Sequence, residues 1–237
     1  MRNRFGKIIV FIIATLALAG VAYYVSTFLA PDKELTAAKR VLDLGRCIGC
    51  DLQQVDLSKA DLRRVQLKWA DCQYADFSNA DLSRANLEEA QLQNANLSKA
   101  NLASAFMRKT DLRNANLNGA YLKRANLRDA QLDNAILKDA VLKQAILWRS
   151  DLRDADLRNA DLNQANLAGA YLMRADLRCA NLENANLRGA FLNNANLEGA
   201  YLGYGANKAS FSGARLTGAI WENGKHCQKG SVGKCIQ

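Results

Sequence analysis

The chain has 237 residues, with 32 Lys and Arg against 23 Asp and Glu, for a formal net charge of +9. That length allows one or two ordinary domains. A single Pro among 237 residues and only 15 Gly exclude a Pro- or Gly-dominated low-complexity chain, and a single His leaves little for His-based catalysis.

Met1 to Lys7 carries Arg2, Arg4 and Lys7 and no acid, and residues 8–30 then run without a charge. About 20 residues at ~1.5 Å rise cross a bilayer core, so 8–30 is expected to be a transmembrane anchor. The basic flank, residues 1–7, predicts a cytoplasmic N-terminus. Everything after Pro31 then lies outside the cytoplasm, in a periplasm or lumen. The rival reading is a cleaved signal peptide, because Ala17-Leu18-Ala19 before Gly20 has the small-x-small pattern. Against it, the apolar run continues for about ten residues beyond Gly20. Both readings export the rest of the chain.

Residues 31–46 form a polar connection. Asp32 can cap a helix, with Glu34 favourable in its first turn. Leu35, Ala38, Val41 and Leu42 share a face at helical spacing, and Gly45 is a natural stop. The pattern predicts a short amphipathic helix over Asp32–Leu44 that covers the open end of the segment after Gly45.

From Cys50 onward the sequence repeats every five residues. With repeat centres at 52, 57, 62 and on to 202, 28 of 31 centres are Leu, the others being Cys72, Phe77 and Met107. Two residues before each centre, 26 of 31 positions are Ala. One residue before it, 20 of 31 are Asp or Asn. A period of five fits neither a helix nor a flat strand and excludes heptads. It implies a solenoid whose units stack on their neighbours, each unit turning a corner. The centre and the small residue before it must point inward. Asp and Asn suit corners because their short side chains bond nearby backbone. After Leu202 the register slips: Ala209-Ser210-Phe211 resumes the pattern one place early, which reads as a one-residue deletion that distorts a corner.

The motif, as in Ala195-Asn196-Leu197-Glu198-Gly199, resembles the A(D/N)LXX signature of pentapeptide-repeat proteins, and the resemblance covers residues 47–221. It implies an all-β solenoid: a right-handed quadrilateral parallel β-helix with four pentapeptides per coil and about nine coils at the usual strand spacing. Residues 222–237 then form a C-terminal cap. The order from Trp221 and Gly224 to Cys227, Gly230, Ser231, Gly233 and Cys235 is similar to the closing segment of other family members. In an exported protein, cysteines paired near each end read as disulfides, Cys227 with Cys235 and Cys47 with Cys50. A redox role for the C-x-x-C pair lacks a thioredoxin-like setting. Two cysteines at each end of a rod cannot meet to make four zinc ligands.

The sequence offers no catalytic residues and calls for no cofactor or metal. Of 20 acids after Gly45, 11 occupy the same repeat slot and belong to corner chemistry first. With four units per coil, residues twenty apart stack. One side then carries Arg63, Arg64, Arg84, Lys123, Arg124 and Lys143, a candidate basic face for anionic lipid or another acidic surface. The Asp/Asn slot turns apolar three times running, at Ile136, Val141 and Ile146, with Trp148 nearby and Tyr121 stacked below Val141. These five residues are a candidate protein-contact patch. The expected function is a membrane-anchored, exported, non-enzymatic protein-interaction scaffold with an unknown protein partner. The alternative is a structural spacer without a specific ligand. Some members of the resembled family protect DNA topoisomerases by imitating the acidic duplex, but a basic, exported chain does not fit that role, and nucleic acid is not an expected partner.

Overall fold

The computed structural model describes residues 32–237. The basic terminus at 1–7 and the apolar run at 8–30 lie outside the described residues. Among the described residues no helix is long and apolar enough to cross a membrane.

Every fifth residue from Asp51 makes a parallel bridge to the residue one coil on, as in Asp51 to Asp71 and Asp71 to Gln91. The step of twenty residues makes each coil four-sided, one pentapeptide per side. The first side is centred on Leu52 and its stacked equivalents, the second on Leu57, the third on Leu62 and the fourth on Leu67. The first side rises through nine levels, from Asp51 to Arg215. At the ~4.8 Å spacing of paired strands the rod is about 40 Å long.

The local geometry follows from where each N–H goes. Each corner is a turn in which the centre residue accepts from the small residue three places on, as Leu57 does from Ala60 at 3.2 Å. The third residue of that turn has positive φ, near +60° at Lys59, the type II pattern. Among the described residues, twenty-six non-glycine residues adopt this conformation. Each costs about 1 kcal/mol or more, so the stacking must outweigh a strain repeated at nearly every corner. It does so through the ladder: the N–H groups of Leu57 and Lys59 donate up the rod to Asp76 and Ser78, at 2.7 and 2.8 Å. The N–H of Asp76 donates down to Val55 at 2.9 Å. The remaining N–H, on the residue after the centre, donates to the Asp/Asn side chain, as Ser58 does to Asp56 Oδ1 at 2.9 Å. The Asp/Asn slot thus completes the backbone accounting of its own side.

Inside, Leu and Ala rows form one continuous core. Cys72, Phe77 and Met107 replace Leu and are equally buried. Thr110 and Ser150 replace Ala, and their hydroxyls donate to the carbonyls of Leu87 and Leu147, each at 2.8 Å. No buried hydroxyl is left without a partner there.

The register slip is an insertion, not a deletion. Asn181 pairs with Tyr201 across twenty residues, but Asn186 pairs with Ser210 across twenty-four. Four residues are looped out, with a single 3-10 turn at Gly205–Asn207. The four sides continue unbroken above the loop, because Asn207 C=O accepts from Asn184 N–H at 2.8 Å and keeps the ladder whole.

Both ends are covered, which removes the exposed sheet edges of a solenoid. At the lower end, helix α1 (Asp32–Leu44) buries Val41 and Ala37, while Leu42 stays 52 % exposed. Of the expected Leu35–Ala38–Val41–Leu42 stripe, Val41 turns to the rod and Leu42 does not; Ala37, one turn before Val41, joins the core with it. At the upper end the tail runs antiparallel over the last coil, with bridges Arg215 to Val232 and Ile220 to His226.

Candidate functional site

The disulfides lie at the two covered ends. Cys47 is bonded to Cys50 with Cα atoms 5.4 Å apart, and Cys227 to Cys235 at 5.0 Å. Cys47 is buried, and its Sγ packs 3.8 Å from the Ala37 carbonyl of α1, a van der Waals contact because a disulfide sulfur has no proton to donate. Two cysteines remain free, Cys72 in the core and Cys179 on the surface. Burial pushes the Cys72 thiol far above its ordinary range, and Asp71 and Asp51 push it further. Among the described residues no group of three or more metal-ligating side chains converges.

The structure divides the candidate contact patch. Tyr121 and Val141 are bridged neighbours on the third side. Ile136 belongs to the second side, between Asn116 and Asp156, and Ile146 to the fourth, between Asn126 and Asn166. The second and fourth sides are opposite, so the three apolar slots form a belt around the rod. A five-residue step turns a corner each time, and neighbouring slots cannot share a plane. Trp148 lies on the fourth side with Ile146. The Arg128 guanidinium sits over its ring at 4.1 Å and that of Arg149 at 5.3 Å, covering part of it. Tyr121, Ile136 and Ile146 are each about two-fifths exposed.

The candidate basic face is partly neutralised. Arg63 holds Asp61 through two nitrogens, at 2.7 and 2.6 Å, and Lys143 pairs with Asp161 at 3.0 Å. Arg124 leans up the rod to Gln144 at 2.8 Å. Arg64, Arg84 and Lys123 have no ion pair among the described residues. The fourth side, equally rich in cations, is paired more fully: Lys68 and Arg108 share Glu88 at 2.9 and 2.6 Å. The Lys68 contact, ahead of that from Arg108, holds the Glu88 carboxyl below its usual range.

Elsewhere the surface carries Asp–Arg units in which Arg two residues on returns to its Asp, as Arg158 does to Asp156 at 2.6 Å. Two features escape sequence reasoning. Tyr204 is 80 % exposed on the inserted loop and meets Tyr201 edge-on at 5.8 Å. A groove on the third side has Ala103 and Ser104 beside Arg63, Arg64 and Arg84. Small residues among arginines in one twenty-residue ladder were the available signal for that groove.

The family model for pentapeptide repeats matches residues 46–84, 80–119, 110–149, 135–174, 150–189 and 175–204, in eight copies. Among solved structures, the chain is similar to HetL, a pentapeptide repeat protein involved in heterocyst differentiation regulation in the cyanobacterium Nostoc sp. strain PCC 7120. Identity is 36 %, coverage 76 % of this chain and 89 % of HetL, and the TM-score 0.39. It is also similar to Rfr23 from the cyanobacterium Cyanothece 51142, at 29 % identity over 47 % of this chain and 89 % of that one, TM-score 0.46. QnrB1, a plasmid-mediated fluoroquinolone resistance protein, matches at 18 % identity over 73 % and 91 %, TM-score 0.42. No curated protein matches the sequence.

Proposed function

The chain belongs to the pentapeptide-repeat family, whose fold is the right-handed quadrilateral β-helix, and from that premise we propose that it is an exported, membrane-anchored, non-enzymatic scaffold for a protein partner. Residues 8–30 are the proposed anchor, with the rod outside the cytoplasm. Disulfides at both covered ends favour an oxidising compartment. The observation that carries the scaffold reading is the bridged pair of exposed Tyr121 and half-buried Val141, set where the repeat mostly places Asp or Asn. Apolar groups in that slot give up the side-chain acceptor for the next N–H, which is a cost without a partner and an interface with one.

A photo-crosslinking residue at Val141 in cells, with Gln53 on the first side as control, tests the reading. A discrete adduct at Val141 alone supports a protein partner on the third side. No adduct at either position favours the spacer reading. Carbonate extraction tests the anchor separately, since a chain that washes off the membrane has lost or never had one.

A further inference from the structure

The arginine pair on the third side has no counterpart on the neighbouring corner. Positive-φ residues twenty apart stack one level above another. At the corner after the fourth side that ladder reads Trp69, Glu89, Lys109, Asp129, Arg149. Trp69 Nε1 donates to Glu89 at 3.2 Å and Arg149 meets Asp129 at 3.8 Å, so charges alternate and pair. At the corner after the third side it reads Arg64, Arg84, Ser104, Arg124. Arg64 and Arg84 are consecutive, roughly 5 Å apart along the rod by the strand spacing, and neither has an ion-pair partner among the described residues. Like charges on side chains stacked one level apart repel each other. The next level up carries only Ala103 and Ser104, which open the groove above Arg84. Arg124, the next cation up, is drawn away toward Gln144. The groove's one carboxylate, Asp61, is engaged by Arg63. The hydroxyls of Ser83 and Ser104 add two donors to the lining.

We propose that Arg64 and Arg84, with Ser104, form a binding site for a doubly charged tetrahedral oxyanion, a phosphate or sulfate monoester. Two guanidinium forks one level apart match two faces of such a group, and the ligand cancels the repulsion between them. The site lies within the first levels of the rod, near its lower end. A phospholipid headgroup and a soluble phosphate share the required chemistry. The inference does not depend on the scaffold reading or on the anchor.

The test is equilibrium dialysis of inorganic phosphate against the full chain in neutral-detergent micelles. The double variant Arg64→Gln/Arg84→Gln is compared with Lys68→Gln/Arg108→Gln, which removes the same charge from the fourth side. Saturable binding that falls about tenfold or more in the first variant and is unchanged in the second upholds the site. Doping the micelles with phosphatidic acid identifies the source. Competition with free phosphate that requires Arg64 and Arg84 assigns the groove to a lipid headgroup, and its absence assigns it to a soluble anion. Absence of saturable binding, or equal loss in both variants, overturns the proposal.

Discussion

Gly203 stands against the carbonyl oxygen of Asn207, so close that a Cβ on Gly203 would overlap it. Its φ is +75°, a region open to glycine and strained for other residues. The same Asn207 carbonyl accepts from Asn184 and carries the ladder past the insertion. Gly203→Ala is expected to destabilise the rod by about 2 kcal/mol or more, through strain and clash together. Gly189→Ala is the control, because φ there is +66° and nothing lies within 4 Å of the added carbon. It should cost about 1 kcal/mol. Equal melting temperatures for the two variants would mean that the loop yields freely.

The insertion also shows where the sequence stops being readable. Losing one residue and gaining four leave a five-residue repeat in the same phase, so Phe211 resumes the pattern identically in either case. Only the pairing of Asn186 with Ser210 decides between them. The Leu and Ala rows were legible because every side repeats one constraint. The pairing of Glu88 with Lys68 and Arg108 was not, since a twenty-residue stack puts long side chains on neighbouring levels without choosing which of them meet. The belt of Ile136, Val141 and Ile146 looked like a patch because sequence neighbours are not surface neighbours across a corner. The face of α1 was misjudged for a different reason: Ala37 and Leu42 are both apolar, and only the docking angle chooses between them.

Acid should weaken the rod through its paired carboxylates. The side-chain bond from Arg158 holds Asp156 below the ordinary aspartate value of 3.8, and Arg174 does the same for Asp154. For Asp56 the backbone N–H of Ser58 is the main cause. A carboxyl whose folded pKa is depressed contributes stability above its unfolded pKa and loses it as pH falls through the folded one. Melting temperature should therefore hold steady at neutral pH and fall below about pH 4. Asp156→Asn keeps an acceptor for the Arg158 N–H but loses the charge, so its difference from the parent protein should shrink as pH falls. A difference that stays constant down to about pH 2 would refute the role of this ion pair.

The two free thiols should differ in reactivity. Cys179 is exposed at a corner, beneath Gly199, whereas Cys72 is fully buried and its thiol is held protonated. The thiolate is the reacting species. Without reductant, a thiol reagent should label Cys179 alone in the folded protein, and Cys72 only after denaturation. Rapid labelling of Cys72 would show that the wall opens near the lower end, where the first coils meet α1.

Cys72 and Phe77 occupy adjacent centre slots of the same coil, on the first and second sides, where the repeat elsewhere places Leu twice, and both are completely buried. One is smaller than Leu and the other larger, so each compensates the other's volume in a core packed at near-crystalline density. Cys72→Leu alone should overfill the coil, at about 1–3 kcal/mol. Phe77→Leu alone should leave a cavity, at roughly 1 kcal/mol or more. The double variant restores the usual pair and should recover most of both losses, giving a coupling of about 1–2 kcal/mol in a double-mutant cycle. Simple additivity of the two single changes in chemical denaturation would show that the slots pack independently. The rod's interior would then tolerate volume changes one side at a time, and not one coil at a time.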